Sequence, residues 1–300
     1  MQADFIADRP SPLRIWLLAA RIPTLPAAVV PVLVGSATAW AVGAFKSGPF
    51  VAALLASMLI QIGTNLANDY FDFQKGADTP GRLGPVRVTQ SGLVAPATVR
   101  LATVLTFGLA ALIGVYLVSV GGLPILLIGL LSIVAGVVYT GGPWPLAYHG
   151  LGDAAVFIFF GLVAVVGTAY LHTGTLLPLA VVNAVPVAAL VTAILVVNNL
   201  RDIDTDRLTG KHTLAVRLGR QATRLEYLLL LMVAYAVPLL FWLAFGAPRY
   251  FWAPLLTLPV AIPLVRLVFT AEGRPLNRAL AGTGRLHLLF GIMLAAGIAL

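Results

Sequence analysis

The stretch NLANDYFDFQKGAD, Asn65 to Asp78, decides how the rest of the chain is read. It closes an apolar segment with amides and carboxylates, side chains that are costly to hold at membrane depth and that mark a site where they occur. At about 100° per residue, Asn65, Asn68, Asp69 and Asp72 fall within an arc of roughly 100° and share one helical face. That face offers only oxygens and amides. Such donors suit a hard divalent cation, and Mg²⁺ is typically held by one or two carboxylates with substrate phosphates completing its shell. Carboxylates at a helix end also serve as caps or simply meet water, and this stretch alone leaves both readings open.

Further along, VNNLRDIDTDRLTGK, Val197 to Lys211, repeats the pattern. Asn198, Asp202 and Asp206 are spaced four apart with Asn199 beside them, so they line one face, while Asp204 points elsewhere. Each stretch ends in a Gly with an adjacent Lys, Lys75 and Gly76 in the first, Gly210 and Lys211 in the second, and arginines follow. Two acidic faces imply one shared ligand.

With 60% hydrophobic and 10% charged residues over 300 positions, and a mean hydropathy of +0.97, the composition excludes a soluble globule. It predicts an all-α, polytopic membrane bundle. The absence of cysteine excludes disulfides and thiolate metal sites. The first residues lack the basic, apolar and small-residue order of a cleavable signal peptide. A net charge of +8 would suit nucleic acid, but the basic residues sit in short loops between apolar spans, so no nucleic-acid partner is expected and orientation explains them.

Apolar segments recur at about 25–45, 51–73, 101–119, 123–140, 152–171, 177–200, 225–245, 250–268 and 286–300, which predicts nine transmembrane helices, the last of them short for a span. Pro23, Pro26 and Pro31 predict a kink at the first. The chain reads as one integral-membrane domain, 1–300, with a cytoplasmic N-terminal segment, 1–20. With the N-terminus inside, nearly all basic residues fall on one side, and the opposite loops hold only Lys46 and Arg249. The positive-inside rule then makes the basic side cytoplasmic, with both acidic motifs at its mouth, in the cell (inner) membrane. Two cytoplasmic loops, 74–100 and 201–224, are expected to cap a cavity; the first carries Arg82 and Arg87, the second Lys211, Arg217 and Arg220.

Acidic faces opposed by basic loops are what a diphosphate bound through Mg²⁺ requires. Carboxylates hold the metal, the metal bridges phosphate oxygens, and Lys or Arg neutralises the remaining charge. The same cations stabilise the charge that builds on a departing diphosphate. An allylic cation left behind needs a dry pocket with aromatic faces.

NLANDYFD, RVTQSG, YTGGPWPLAYHGLGD and NNLRDIDTDRLTGKHTLAVRLG together resemble the UbiA superfamily of intramembrane prenyltransferases, and within it the members that act in menaquinone biosynthesis. The resemblance runs from about Arg21 to Arg220; the last third carries no matching motif. It implies Mg²⁺ as cofactor, a polyprenyl diphosphate and 1,4-dihydroxy-2-naphthoate as substrates, and release of demethylmenaquinone, CO₂ and diphosphate. It also implies residue roles. Asn65, Asn68, Asp69 and Asp72 match the first aspartate-rich motif, and Asp202 and Asp206, with Asn198 or Asn199, match the second. Asp69, Asp72, Asp202 and Asp206 are the implied catalytic metal ligands. Where many relatives have a third Asp, this chain has Gly76, with Asp78 two residues on, so Asp78 is not assigned to the metal. Arg87 and Lys211 match basic positions near the diphosphate, with Lys75 and Arg217 as weaker matches.

For the aromatic substrate the implied contacts are Tyr139, Tyr148, Asp153 and Arg21, the last facing the substrate carboxylate. Each has a plainer reading, since tyrosines anchor helices at the interface and an Arg before a helix snorkels to headgroups. His149, His172, His212 and His287 show no zinc spacing. No obligate protein partner is evident, and membrane lipid is the surrounding medium. A UbiA-type transferase using 4-hydroxybenzoate or homogentisate, and a cation or phosphate carrier with paired carboxylates, remain as alternatives. A CDP-alcohol phosphotransferase would need a motif with a DG start that is absent.

Overall fold

The computed structural model describes residues 10–77, 83–245 and 250–300. Asp78, Arg82 and Arg249 lie outside them. Every regular element among the described residues is helical. In chain order these are α1 (Pro12–Ala20), a short 3₁₀ turn (Ile22–Thr24), α2 (Pro26–Ala41), α3 (Ser47–Gln74), α4 (Pro96–Val138) and α5 (Gly152–Thr173). They continue with α6 (Pro178–Leu208), α7 (Leu214–Leu218), α8 (Arg220–Phe245), α9 (Ala253–Thr270) and α10 (Leu276–Ala299). Proline opens α1, α2, α4 and α6. Its missing N–H is no loss in a first turn, where no carbonyl precedes it to accept.

Seven of these helices are long and apolar enough to cross a bilayer, and eight if the α1–α2 pair, bent by 50°, counts as one span. The sequence expectation was nine. The two expected segments 101–119 and 123–140 lie in the single 43-residue α4, which is broken at Gly122 (φ 66, ψ −154). At about 1.5 Å per residue a helix of that length would overrun the roughly 30 Å hydrocarbon core. Glycine alone adopts this backbone freely.

Three boundaries differ from expectation. The expected cytoplasmic N-terminal segment, 1–20, is not free of regular structure: α1 occupies most of its described part and turns into α2 at Arg21, whose φ of 53 is the only positive value outside glycine among the described residues. The loop 201–224 is largely helical, because α6 runs on to Leu208 and α7 and α8 follow. The last span starts at Leu276 and is 24 residues long, so it is not short.

The bundle is centred on α6. Of its most apolar window 72% is buried, against 44% or less for every other span. Val187, Leu190, Ala193, Val196 and Leu200 of α6 pack with Val30 and Val34 of α2, Tyr227 and Leu231 of α8, and Phe290 and Leu294 of α10. Lipid tails are as apolar as leucine, so fit between surfaces, not escape from water, selects this arrangement. Gly161 shows the fit. It lies within a π-helical segment of α5, Phe157–Val163, where a Cβ would collide with Ala188 of α6.

Candidate active site at the polar end of an intramembrane cavity

A cavity of about 600 Å³ runs between α2, α3, α4, α5, α6 and α10. Along α3 its lining passes from Ser57 and Ile60 to Asn65, Asn68 and Asp72; along α6 it passes from Val191, Ile194 and Leu195 to Asn198 and Asn199. The polar ends of both motifs therefore meet at one end, and Phe159, Phe160 and mostly aliphatic side chains, with Ser57, Gln61, Thr64 and Ser132 among them, line the rest. Arg87, Lys211, Tyr139, Asp153 and Arg21 also line it.

Asp72 is the centre of the polar end. It is 2% exposed. Its Oδ1 accepts from the Tyr148 hydroxyl at 3.0 Å and its Oδ2 from Arg87 Nη2 at 3.3 Å, with Lys211 Nζ 3.9 Å away. Two cations lie over the Tyr148 ring, Lys75 Nζ 4.8 Å and Lys211 Nζ 5.4 Å from its centroid. Lys75 donates to the carbonyls of Thr140 (2.7 Å) and Gly142 (3.4 Å), and Thr140 Oγ1 donates to Asn68 Oδ1 at 2.8 Å. The YTGGPWPLAYHG segment is thus laid across the end of α3, with its polar atoms facing Asn68 and Asp72. Burial lowers the Lys75 pKa, opposed by Asp72 and reinforced by Lys211. Burial, then the charges of Asp153, Asp72 and Asp206, push the Tyr139 phenol well above its usual range, so it stays protonated.

Asn65 faces a different task. Its Nδ2 donates to the Ala20 carbonyl (3.0 Å) and Thr24 Oγ1 (2.9 Å), and Gln61 Nε2 donates to the same Thr24 oxygen at 3.0 Å. Arg21 Nη2 in turn reaches the Asn65 carbonyl at 3.5 Å. These bonds hold the left-handed turn that carries Arg21 into the cavity wall. Asp153, 5% exposed, lines the same wall with its Oδ2 buried and lacking a hydrogen-bond partner among the described residues.

The expected metal set of Asp69, Asp72, Asp202 and Asp206 is not assembled as a cluster. Among the described residues no group of three or more His, Cys, Asp or Glu side chains converges as a metal centre would. Asp69 does not line the cavity; both its oxygens accept backbone N–H groups, from Thr89 at 3.0 Å and Val88 at 3.1 Å. Asp202 is held by the buried Arg201, whose Nε donates to Oδ1 at 2.8 Å and whose Nη2 pairs with Oδ2. Arg201 also donates to Asn198 Oδ1 (2.9 Å) and Asn277 Oδ1 (2.8 Å), and Asn277 Nδ2 donates to the Leu83 carbonyl at 2.9 Å. Asp206 sits one turn beyond, half-buried. Asp69, Asp72 and Asp202 are each compensated by their own donors.

Arg217 is also displaced from expectation. Its Nε lies 3.4 Å from the His212 carbonyl, against Gly150, and it does not line the cavity. The histidines take structural places: His172 bonds Ser36 Oγ (2.9 Å) and the Lys46 backbone N–H (3.0 Å), and His149 stacks on Trp144. Thr24, Gln61, Thr140, Arg201 and Asn277 were not singled out from the sequence. Arg201 carried a signal, being next to Asp202 in a motif; Asn277 lies in the last third, where no motif pointed to it.

The donors that face the cavity at its polar end, Asp72 with the amides of Asn68, Asn198 and Asn199, are hard oxygen ligands without sulfur or imidazole. This chemistry fits Mg²⁺. Arg87 and Lys211 beside it fit the oxygens of a phosphorylated group.

Fold and site define a multi-pass membrane protein with a polar, basic head on a largely apolar cavity. The UbiA prenyltransferase family profile matches residues 28–297, and the chain belongs to that family of prenyltransferases. It is 39% identical over 293 residues to 1,4-dihydroxy-2-naphthoate octaprenyltransferase of Escherichia coli K12, covering 93% of this chain and 95% of the relative. The enzyme of the same name from Mycobacterium tuberculosis is 38% identical over 286 residues, covering 95% and 96%. A UbiA homologue from Archaeoglobus fulgidus, solved with GPP and Mg²⁺, superposes with a TM-score of 0.67 at 16% identity, covering 95% of this chain and all of that one.

Proposed function

We propose that this protein transfers a polyprenyl group from polyprenyl diphosphate to 1,4-dihydroxy-2-naphthoate, with loss of CO₂. The observation that carries the proposal is Asp72, set between Arg87, Lys211 and Tyr148 at the head of an apolar cavity. Relatives sharing 38–39% of its residues over nearly their whole length and named for the naphthoate reaction support the acceptor.

The diphosphate binds at the polar end, where Arg87, Lys211 and Lys75 neutralise its oxygens. Asp72 would hold Mg²⁺ with the amide oxygens of Asn68, Asn198 and Asn199, and Asp202 and Asp206 would join it once their side chains turn to the cavity, Asp202 releasing Arg201. Bound Mg²⁺ supplies positive charge to the leaving diphosphate. The prenyl chain lies among Ile60, Phe160, Val191 and Ile194, which exclude water as the allylic C–O bond breaks. Tyr139 and Asp153 border the acceptor ring, and Arg21 pairs with its carboxylate. A ring carbon forms the new C–C bond and the carboxylate carbon leaves as CO₂. Electron count makes the direct product the quinol, which becomes demethylmenaquinone on losing two electrons elsewhere.

The excess of Lys and Arg in the loops after α3 and α6 supports a site facing the cytoplasm, with the N-terminus on that side of the cell (inner) membrane. Lipid is the medium through which the prenyl substrate enters; the reading requires no protein partner.

The test is a product assay on purified protein in detergent with 1,4-dihydroxy-2-naphthoate, geranylgeranyl diphosphate and Mg²⁺, read by mass spectrometry. The expected result is a prenylated naphthoquinol or quinone lacking the carboxylate, absent with EDTA and restored by added Mg²⁺. Prenylation of 4-hydroxybenzoate or homogentisate instead would refute the acceptor; no turnover with any acceptor would refute the reaction.

A further inference from the structure

We infer that Asp69 is a positioning residue that holds Arg87 against the diphosphate site, and that it is not a metal ligand. The inference rests on the reading of the site as a metal–diphosphate site. Asp69 is 2% exposed, and both its oxygens are occupied by the N–H groups of consecutive residues, Val88 and Thr89. Charge-assisted bonds of this kind are about twice as strong as neutral ones. A metal at Asp69 would have to compete with both, from a side chain that does not line the cavity.

The clamped backbone is the base from which Arg87 extends. Val88 is fully buried against Ile15, Leu66 and Val99, and Val94 N–H returns to the Val88 carbonyl at 3.0 Å. Ser91 Oγ closes the turn on the Arg87 carbonyl at 2.6 Å. Asp69 and Asp72 lie three residues apart on α3, one turn of about 5 Å. Helix α3 thus grips the loop with Asp69 and receives its guanidinium with Asp72, 3.3 Å from Arg87 Nη2. Loss of the grip moves Arg87, and a misplacement of about 1 Å in a substrate-positioning group can cost on the order of 10²-fold in rate.

Asp69→Asn separates the two roles, because the amide keeps one acceptor and turns N–H₂ toward the other backbone donor. Two measurements on full-length protein read the result: amide hydrogen exchange at Val88 and Thr89 in metal-free protein, and Mn²⁺ binding by electron paramagnetic resonance with geranyl diphosphate and no acceptor. We expect exchange at both amides to rise at least tenfold, Mn²⁺ affinity to stay within twofold of wild type, and KM for the prenyl diphosphate to rise. In an Arg87→Gln background the substitution should cost little further, since the two act as one unit. A tenfold or greater fall in Mn²⁺ affinity, or unchanged exchange, overturns the inference. If Asp69→Asn does not fold, Asp69→Ser carries the same two measurements. Wild-type protein that bound no Mn²⁺ with geranyl diphosphate would overturn the metal–diphosphate reading instead, while the exchange arm would still test the clamp.

Discussion

Tyr148 donates its phenolic hydrogen to Asp72 Oδ1 across 3.0 Å, and its ring faces the ammonium groups of Lys75 and Lys211. One aromatic residue thereby orients the carboxylate and gathers the cations. Tyr148→Phe keeps the ring and removes the bond, which is worth about 1.5–3 kcal/mol for a charged acceptor. Turnover should fall roughly tenfold or more by that measure, and Tyr148→Leu, which also removes the ring face, should fall further. Steady-state kinetics of the two variants separate the contributions.

Asp72→Asn should do more. It removes the charge between Arg87 and Lys211 and leaves a guanidinium with 6% of its side chain exposed facing a neutral amide. Breaking a buried pair in this way costs about 3–5 kcal/mol, so the thermal midpoint should fall along with a loss of activity of at least 10²-fold. Asp204→Asn is the control. Asp204 pairs with Arg220 but is 68% exposed, so its loss should change stability by about 1 kcal/mol or less.

Arg201 has no exposed side-chain surface and joins Asp202, Asn198 and Asn277. Arg201→Met should destabilise by about 3–5 kcal/mol because it strands the Asp202 charge. Arg201→Met with Asp202→Asn removes both charges and should recover much of the stability without recovering turnover. Denaturation in detergent together with the product assay distinguishes a packing role from a role in the site.

Gly161 tests the packing that shapes the cavity. A methyl group there meets Ala188, and the α5–α6 contact must open to admit it. Gly161→Ala should cost about 1–3 kcal/mol, and combining it with Ala188→Gly should restore part of the loss. Thermal stability of the three variants is sufficient to decide.

Much of this protein is legible along the chain because it depends on near neighbours. Apolar runs long enough for a bilayer specify helices, and the 3.6-residue period places Asn65, Asn68, Asp69 and Asp72 on one face. The basic loops and the repeated acidic motif point to one polar end of the bundle, and Arg87, Lys211, Tyr139 and Asp153 do line one cavity. What each motif residue does is another matter. Asn65, Asp69 and Asp72 share a helical face, yet one holds the Arg21 turn, one grips the backbone at Val88 and Thr89, and one receives Arg87. That division depends on where loops distant in sequence return, as does the bond from Asn277 to Leu83, 194 residues away. Hydropathy and period describe a helix and its faces; which group meets a buried carboxylate is decided by chain return and close packing, because an oxygen out of water must be satisfied by whichever donor the tertiary fold brings within about 3 Å.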